Sequence, residues 1–267
     1  MIKLIAIDLD GTLFDDLKNI PEENIKAIKY AKEKGVKIVI STGRPFKGVI
    51  DVLEKLDLTS NDDYVIIYNG GKILNVGKNE TIYSTTITGK TVKELYEESK
   101  ILNTDIHAFR IDEELITPKH NPYTDVEARI NHIEDHLYDF NNISDDDLFI
   151  KCMLVSENEV LTNAMANVNK KFYTDYSMVR SSTIFLEFLN KNSDKGKAVK
   201  ALAEYLNISL DEVMAIGDAN NDISMIKVAG VGVAMGNAFE EVFEYANYIT
   251  DTNENSGVAK AILKYVK

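Results

Sequence analysis

Apolar runs alternate with amphipathic segments along the first 80 residues. Three runs have the length of strands buried on both faces, namely residues 4–7, 36–40 and 64–68. Between them, residues 20–34 and 49–56 carry apolar side chains at helical spacing, and Gly35 is placed to end the first helix. The order strand–helix–strand–helix–strand predicts a right-handed, parallel α/β sheet.

The pattern changes near residue 83 and changes back near residue 189. The middle part alternates short strands and hairpins with a few helices, with strands predicted at 82–87, 106–111, 114–117, 149–155, 172–179 and 183–188 and helices at 91–102 and 157–168. This mixture is typical of an antiparallel sheet with helices on one face. From residue 195 the parallel α/β pattern resumes, with helices at 195–206, 223–228 and 258–265 and strands at 213–216 and 230–234.

The fold class that follows is α/β, with a Rossmann-like parallel-sheet core and an inserted α+β domain. We expect the core to consist of residues 1–82 and 189–267, and the inserted domain to span residues 83–188. Residues 120–147 carry no clear period, so their structure is not predicted beyond a loop-rich segment.

Composition limits the kinds of molecule that the protein could bind. The chain has 267 residues, 45% of them hydrophobic and 27% charged, and a formal net charge of −13. An acidic protein is a poor partner for nucleic acid or an anionic membrane, and no apolar run reaches the length of a membrane span. Asp8 and Asp10 interrupt the N-terminal apolar stretch, which argues against a signal peptide, and the single cysteine excludes an intrachain disulfide. We expect a cytoplasmic protein, and no protein partner is evident.

Polar residues follow each of the first three predicted strands. Asp8 and Asp10 follow the first strand, Thr42 and Gly43 the second, and Asn69 the third. Parallel sheets carry their chemistry at the carboxyl ends of the strands, so these residues should share one edge. Two carboxylates at i and i+2 repel unless a cation or a proton lies between them. The alternative is an Asp-Asp-Gly turn that closes an ordinary strand, and Asn69 could equally cap a turn.

A second group of polar residues lies in the C-terminal part. Lys195 begins a predicted helix, where the helix dipole disfavours a cation unless an anion lies nearby. Asp218, Asn221 and Asp222 follow the predicted strand at 213–216, and the two acids could instead be helix-capping residues.

Together these segments resemble the haloacid-dehalogenase (HAD) superfamily, and within it the Cof-type phosphatases of class IIB, which carry a large α/β cap. The matching motifs occur in the family's order and cover nearly the whole chain: Asp8-Leu9-Asp10-Gly11-Thr12-Leu13, Ser41-Thr42-Gly43-Arg44-Pro45, Asn69-Gly70-Gly71, Lys195-Gly196-Lys197-Ala198, Gly217-Asp218-Ala219-Asn220-Asn221-Asp222 and the glycine-rich segment 230–238. One departure is Asn192-Ser193-Asp194, where relatives more often carry a Gly-Val-Ser type of turn. We expect Asp194 to cap the helix that begins at Lys195.

The resemblance agrees with the chemistry of phosphoryl transfer and implies a role for each residue. Asp8 would attack phosphorus and form an aspartyl-phosphate, and Asp10 would serve as general acid and then general base. Thr42, Gly43, Lys195 and Asn221 would bind the phosphoryl oxygens. The cofactor would be Mg²⁺, held by Asp8, by Asp218 and by the backbone carbonyl of Asp10, with Asp222 orienting a water of the ion's shell.

The predicted function is therefore Mg²⁺-dependent hydrolysis of small phosphorylated metabolites, such as sugar phosphates or related monoesters, under a cap that closes over the site. Two alternatives stay open. One is a phosphomutase or phosphotransferase on the same scaffold. The other is a non-catalytic phosphate-binding signalling module, against which the chain length and Asp10 both count. Candidates for substrate contacts in the cap are Phe109, Tyr123, Arg129 and Lys151.

Overall fold

The computed structural model describes residues 1–267 and contains fifteen strands and ten α-helices. The strands are β1 (Leu4–Ile7), β2 (Lys37–Ser41), β3 (Tyr64–Ile67), β4 (Lys72–Asn75), β5 (Glu80–Ser84), β6 (Ile87–Thr88), β7 (Asp105–Arg110), β8 (Leu115–Thr117), β9 (Asp135–Leu137), β10 (Leu148–Val155), β11 (Tyr176–Ser182), β12 (Phe185–Asn190), β13 (Val213–Gly217), β14 (Val231–Ala234) and β15 (Tyr248–Ile249). The helices are α1 (Glu22–Glu33), α2 (Ile50–Lys55), α3 (Gly89–Ile101), α4 (Pro122–Ile130), α5 (Asn158–Asn167), α6 (Lys171–Asp175), α7 (Lys195–Tyr205), α8 (Ile223–Val228), α9 (Glu240–Phe243) and α10 (Gly257–Tyr265).

The contacts within the chain divide it into two compact units. The first unit comprises Met1–Gly43, Asp51–Tyr83 and Asp194–Lys267, and the second comprises Arg44–Ile50 and Ser84–Ser193. None of the helices combines the length and the apolar composition that a membrane span requires.

The first unit is built on an eight-stranded sheet in the order β15-β14-β13-β1-β2-β3-β4-β5. The six strands from β15 to β3 run parallel, and β4 runs antiparallel to β3. Leu4 and Ala6 of β1 pack with the apolar face of α7, while Ile5 and Ile7 are equally buried on the opposite face. Because these strands are buried on both faces, they are apolar along their whole length. The predicted parallel α/β core is confirmed.

The predicted end of the first helix is confirmed by its capping. Gly35 lies in the left-handed region at φ +81° and donates its N–H to the carbonyl of Lys32, while Val36 donates to Ala31. This pair of bonds is a Schellman motif, which glycine favours because it has no Cβ to oppose a positive φ.

The second unit is built on a seven-stranded sheet in the order β11-β12-β10-β7-β8-β9, with β6 added beside β10. All pairings are antiparallel except that of β8 with β9. One face carries a single apolar cluster with side chains from α3, α5 and α6, including Val92, Leu161 and Phe172. The predicted α+β character of the middle of the chain is therefore present.

Three predictions within the second unit and its border need correction. The single strand expected at 82–87 is two strands, since β5 belongs to the first sheet and β6 to the second. The strand expected at 172–179 begins at Tyr176, and α6 precedes it. Phe172 lies in α6 and Tyr176 begins β11, with their ring centroids 5.6 Å apart, so this aromatic pair spans the junction between the helix and the strand.

The third correction concerns residues 120–147, which are not simply a loop. They contain α4, β9 and a short helical turn at Phe140–Asn142. Asn121 caps α4, because its side-chain oxygen accepts the N–H of Thr124 at 2.8 Å, and Pro122 occupies the first helical position. Asparagine followed by proline is a helix-start signal that the sequence carried.

Candidate functional site

Four adjacent strands of the first sheet deliver the predicted polar residues to one edge. Asp8 follows β1, Thr42 follows β2, Asn69 lies two residues past β3, and Asp218 follows β13. The sheet order β13-β1-β2-β3 brings these carboxyl ends side by side, and all four residues are buried. Residues more than 200 positions apart in the chain thereby become neighbours.

Lys195 lies at the centre of this cluster. Its Nζ is 2.6 Å from Oδ1 of Asp8 and 2.6 Å from Oδ1 of Asp222, and the residue is 1% exposed. The two carboxylates balance the unfavourable position of a cation in the first turn of α7. This amine and the two acids therefore form one buried charged group.

The N-terminus of α7 is capped as the sequence predicts. The side chain of Asp194 accepts the N–H of Lys197 at 2.8 Å. Gly196 lies against α8, since a Cβ there would be 2.4 Å from the carbonyl oxygen of Ser224. The cap and this close approach fix the position from which Lys195 extends.

Asp218 joins the cluster from the end of β13. Its Oδ1 accepts the hydroxyl of Thr12 at 2.7 Å, in a buried hydrogen bond. Gly11 has φ +86°, and a Cβ at this position would lie 2.4 Å from Oδ2 of Asp218. The turn after β1 therefore leaves room for the carboxylate of Asp218 because position 11 is glycine.

Asp222 organises the loop that carries Asp218. Its Oδ2 accepts the backbone N–H groups of Asp218 and Ala219, each at 3.0 Å. Its other oxygen is the one that contacts Lys195. Asp222 is thus a capping acid, as one alternative proposed, and a member of the charged cluster at the same time.

The pKa values of Asp8, Asp218 and Lys195 are all raised. Burial, followed by repulsion from Asp222, raises the pKa of Asp8 well above its ordinary value, although Lys195 acts in the opposite direction. Burial is also the main cause that raises the pKa of Asp218 from 3.8 to about 6. For Lys195, burial alone would lower the pKa, but the carboxylates of Asp222 and Asp8 outweigh it and raise the pKa.

The donor set fits a divalent cation. Oxygens of Asp8, Asp218 and Asp222 lie within 4.8 Å of one another. With all groups ionised, three carboxylates face one ammonium, a net charge of about −2 that a hard divalent ion would balance. Repulsion from Asp222 adds to burial in raising the pKa of Asp218, and protonation would also relieve this repulsion.

Thr42, Gly43 and Asn221 all lie around Asn69. Asn69 donates its backbone N–H to the carbonyl of Thr42 at 2.9 Å, and its side-chain oxygen accepts Nδ2 of Asn221 at 3.0 Å. A Cβ on Gly43 would lie 2.9 Å from Nδ2 of Asn69. The structure therefore brings three of the four predicted phosphate-binding residues together around Asn69, while Lys195 contacts Asp8 and Asp222.

Asp10 stands apart from the buried cluster. Its carboxylate contacts Lys18 at 2.9 Å, and its side chain is 39% exposed. Asp10 adds to the repulsion that raises the pKa of Asp218, so the two acids are electrostatic neighbours. The backbone carbonyl of Asp10 as a metal ligand stays a prediction. Thr12 belongs to the first motif, but the sequence does not indicate its contact with Asp218. Lys18 is not predicted as a site residue, because its contact with Asp10 depends on the turn after β1.

The candidate cap residues lie in very different environments in the second unit. Phe109 is fully buried, Arg129 is exposed, and Tyr123 is half-buried. Lys151 is 1% exposed, with its amine 3.2 Å from Glu187 and 3.6 Å from Glu127. Lys151 therefore forms buried ion pairs with Glu127 and Glu187, and these three residues are the internal ion-pair group of the second unit.

Known proteins resemble this chain over its whole length. The family model of the haloacid dehalogenase-like hydrolases matches residues 5–262. YxeH of Bacillus subtilis (strain 168) is 40% identical over 268 residues, which cover 100% of this chain and 99% of YxeH. The 5-amino-6-(5-phospho-D-ribitylamino)uracil phosphatase YcsE of the same organism is 37% identical over 276 residues, covering 99% of this chain and 96% of YcsE.

A solved structure agrees with these sequence relationships. The HAD subclass IIB sugar phosphatase BT4131 superposes with a TM-score of 0.81 at 27% identity, covering 98% of both chains. Similarity of this extent, together with the motifs at the strand ends, assigns the chain to the haloacid dehalogenase-like hydrolases of subclass IIB, as the sequence predicts, and makes it a hydrolase that acts on phosphate esters.

Proposed function

We propose that this protein is a Mg²⁺-dependent phosphatase that hydrolyses small phosphorylated metabolites through an aspartyl-phosphate on Asp8. The observation that carries the proposal is the contact of Asp8 with Lys195, beside Asp218 and Asp222, at the carboxyl edge of the sheet. A nucleophilic carboxylate must be ionised and must approach an anionic phosphoryl group. The ammonium of Lys195 favours both, because it stabilises the carboxylate and attracts the phosphoryl oxygens.

Asp8, Asp218 and the backbone carbonyl of Asp10 would hold the ion, and Asp222 would orient a water of its shell. Bound Mg²⁺ would supply charge neutralisation for the phosphoryl oxygens. The remaining roles belong to side chains of the protein. Thr42, Gly43, Lys195 and Asn221 would bind and orient the phosphoryl group. Asp8 would then attack phosphorus as the leaving-group oxygen departs.

Asp10 would donate the proton that the leaving oxygen requires, and would then take a proton from the water that attacks the aspartyl-phosphate. Its carboxylate contacts Lys18, so this contact must open before Asp10 can reach the leaving oxygen. An ion pair as exposed as this one contributes about 0–1 kcal/mol, which is small beside a chemical barrier. The pair therefore does not exclude Asp10 from proton transfer.

Two relatives guide the choice of substrate class. The name of YcsE places phosphate on a ribityl chain, and BT4131 is described as a sugar phosphatase. We therefore propose phosphomonoesters of sugars or sugar alcohols as the substrate class for this chain.

The test is a panel of hexose, pentose and pentitol phosphates, assayed with Mg²⁺, with EDTA, and with Asp8→Asn. Release of orthophosphate that needs both Mg²⁺ and Asp8 supports the proposal. Equal turnover by Asp8→Asn and the unaltered protein would end the assignment of the nucleophile. Isomerised sugar phosphate without free phosphate would identify a mutase instead.

A further inference from the structure

Asn69 is more deeply buried than its position in a turn explains. Tyr68, Asn69 and Gly70 follow β3 with φ of +53°, +54° and +86°, three consecutive left-handed residues. This conformation disfavours residues with a Cβ, and glycine adopts it most readily. Asn69 is also 4% exposed, so it is not a solvated turn residue. Its side chain therefore has a reason to be asparagine beyond the turn itself.

The contacts of Asn69 reach two separate loops. Its backbone N–H holds the carbonyl of Thr42, which ties it to the loop after β2. Its side-chain oxygen accepts Nδ2 of Asn221, which ties it to the loop after β13. Asn69 thus lies between two groups of residues that the proposed function assigns to the phosphoryl oxygens.

The amide nitrogen of the Asn69 side chain, Nδ2, lies against Gly43. Nδ2 of Asn69 is buried and has no hydrogen-bond partner, which is unfavourable for a donor. A Cβ on Gly43 would lie 2.9 Å from this nitrogen, so the amide plane packs directly on the backbone of Gly43. The side-chain amide of Asn69 is therefore fixed beside Thr42 and Gly43 even when no phosphate is bound.

We propose that Asn69 is a positioning residue for the phosphoryl group, which couples Asn221 to the Thr42–Gly43 loop so that the two loops bind phosphate as one unit. This inference rests on the proposed function. Asn69 acts through Asn221, because its hydrogen bond fixes the orientation of the Asn221 amide. It acts through Gly43, because its amide packs against the loop that carries Thr42 and Gly43. Without the side chain, each loop would bind the same oxygens but with freedom to move separately.

Asn69→Gly tests this role because it removes the amide and keeps the backbone. Glycine suits φ +54° at least as well as asparagine and retains the N–H that Thr42 needs. We expect the dissociation constant for orthophosphate, measured by calorimetry with Mg²⁺, to rise about tenfold, the effect of one well-placed hydrogen bond. The melting temperature should stay the same or rise. Unchanged phosphate affinity in Asn69→Gly would overturn the inference.

The double variant separates coupling from a general loss of structure. If Asn69 acts through Asn221, adding Asn69→Gly to Asn221→Ala should weaken phosphate binding by less than Asn69→Gly does alone. Full additivity of the two effects would contradict the coupling. Asn103→Gly is the matched control, since Asn103 is an exposed residue with φ +55° in the second unit, and it should leave phosphate affinity unchanged.

The same experiment distinguishes failure of this inference from failure of the proposed function. If the unaltered protein binds no orthophosphate in the presence of Mg²⁺, the proposed function falls and the inference with it. If the unaltered protein binds phosphate and releases it from a sugar phosphate while Asn69→Gly binds equally well, only the role of Asn69 is refuted.

Discussion

At the scale of single residues, the site is a small buried group with excess negative charge. Asp8 shares the ammonium of Lys195 with Asp222, and Asp218 stands close enough to repel both acids. Such a group favours function over stability, because buried like charges oppose folding and attract cations. Burial, and after it repulsion from Asp222, raises the pKa of Asp8.

Asp8→Asn should therefore stabilise the metal-free protein and abolish its phosphatase activity. Without a metal ion, the substitution removes one buried charge, and the amide oxygen can still accept from Lys195. We expect the melting temperature in EDTA to rise, at about 2–4 °C per kcal/mol for a chain of this size, while phosphate release is lost. Asp62→Asn, at an exposed position, is the control and should change neither quantity. A lower melting temperature for Asp8→Asn in EDTA would contradict the charge argument.

Asp10→Asn tests proton donation to the leaving group. The second-order rate constant kcat/KM for a sugar phosphate should fall by about 10²–10⁴, the usual contribution of general acid catalysis. For p-nitrophenyl phosphate the loss should be much smaller, since its leaving group departs without a proton. The comparison needs steady-state kinetics with both substrates. Equal losses would mean that Asp10 serves the site in some other way.

The residues of the site divide into those a local motif reveals and those it does not. Asp8 and Asp218 stand at predicted strand ends, so their chemistry could be predicted from position. Thr12 reaches Asp218 across 206 positions of sequence, and Lys18 depends on the turn after β1. Such contacts depend on the folded arrangement, and the sequence alone does not indicate them.

At the scale of elements, each strand of the site ends in a turn that places a functional group at the same edge. As predicted, α1 ends at Gly35, and Asp194 caps the N-terminus of α7. The failures occur where a pattern fits two structures, as for the aromatic pair that begins in α6, or where the chain passes from one sheet to the other near residue 85. Periodicity cannot show to which sheet a strand belongs.

Gly11→Ala should weaken metal binding specifically. A methyl group at position 11 would displace the carboxylate of Asp218, and the positive φ adds strain of about 1–2 kcal/mol. We expect Mg²⁺ affinity, measured by calorimetry, to fall at least about tenfold. Gly35→Ala provides the matched control, because Gly35 has φ +81° and no atom lies within 4 Å of the place that its new methyl group would take. Gly35→Ala should lose similar stability but bind Mg²⁺ normally, and equal affinity in both variants would contradict the role of Gly11.

Lys151→Met tests the internal ion-pair group of the second unit. The substitution leaves Glu127 and Glu187 buried beside each other without their cation. Breaking a buried pair in this way costs about 3–5 kcal/mol. Chemical denaturation should show that loss, and adding Glu127→Gln and Glu187→Gln should recover much of it. A single variant as stable as the unaltered protein would show that the pair is dispensable.

At the scale of the whole molecule, we expect proton binding and metal binding to compete at the same carboxylates. The pKa of Asp218 is about 6 in the folded protein against an ordinary value of 3.8. The folded state therefore holds the proton more tightly, so this group stabilises the metal-free protein below pH 4. That stabilisation is lost as the pH rises through 6. Asp8, whose pKa is also raised, acts in the same direction.

Mg²⁺ should reverse this dependence, because it requires the ionised carboxylates. We expect Mg²⁺ to raise the melting temperature little near pH 5 and most above pH 7. At a hundred times the dissociation constant the added stability should be about 2.7 kcal/mol. Thermal unfolding from pH 5 to 8, with Mg²⁺ and with EDTA, measures it. An effect of Mg²⁺ that is independent of pH would contradict binding at this acidic cluster.

The central claim is that the phosphoryl group is transferred to Asp8 before it reaches water. The most direct measurement is acid quenching of a reaction with p-nitrophenyl phosphate and Mg²⁺, followed by borohydride reduction and peptide mass spectrometry. Asp10→Asn should allow the intermediate to accumulate, since it lacks the base for the second step. We expect homoserine in place of aspartate at residue 8, dependent on substrate. Turnover by the unaltered protein without any such product at residue 8 in either protein would contradict it.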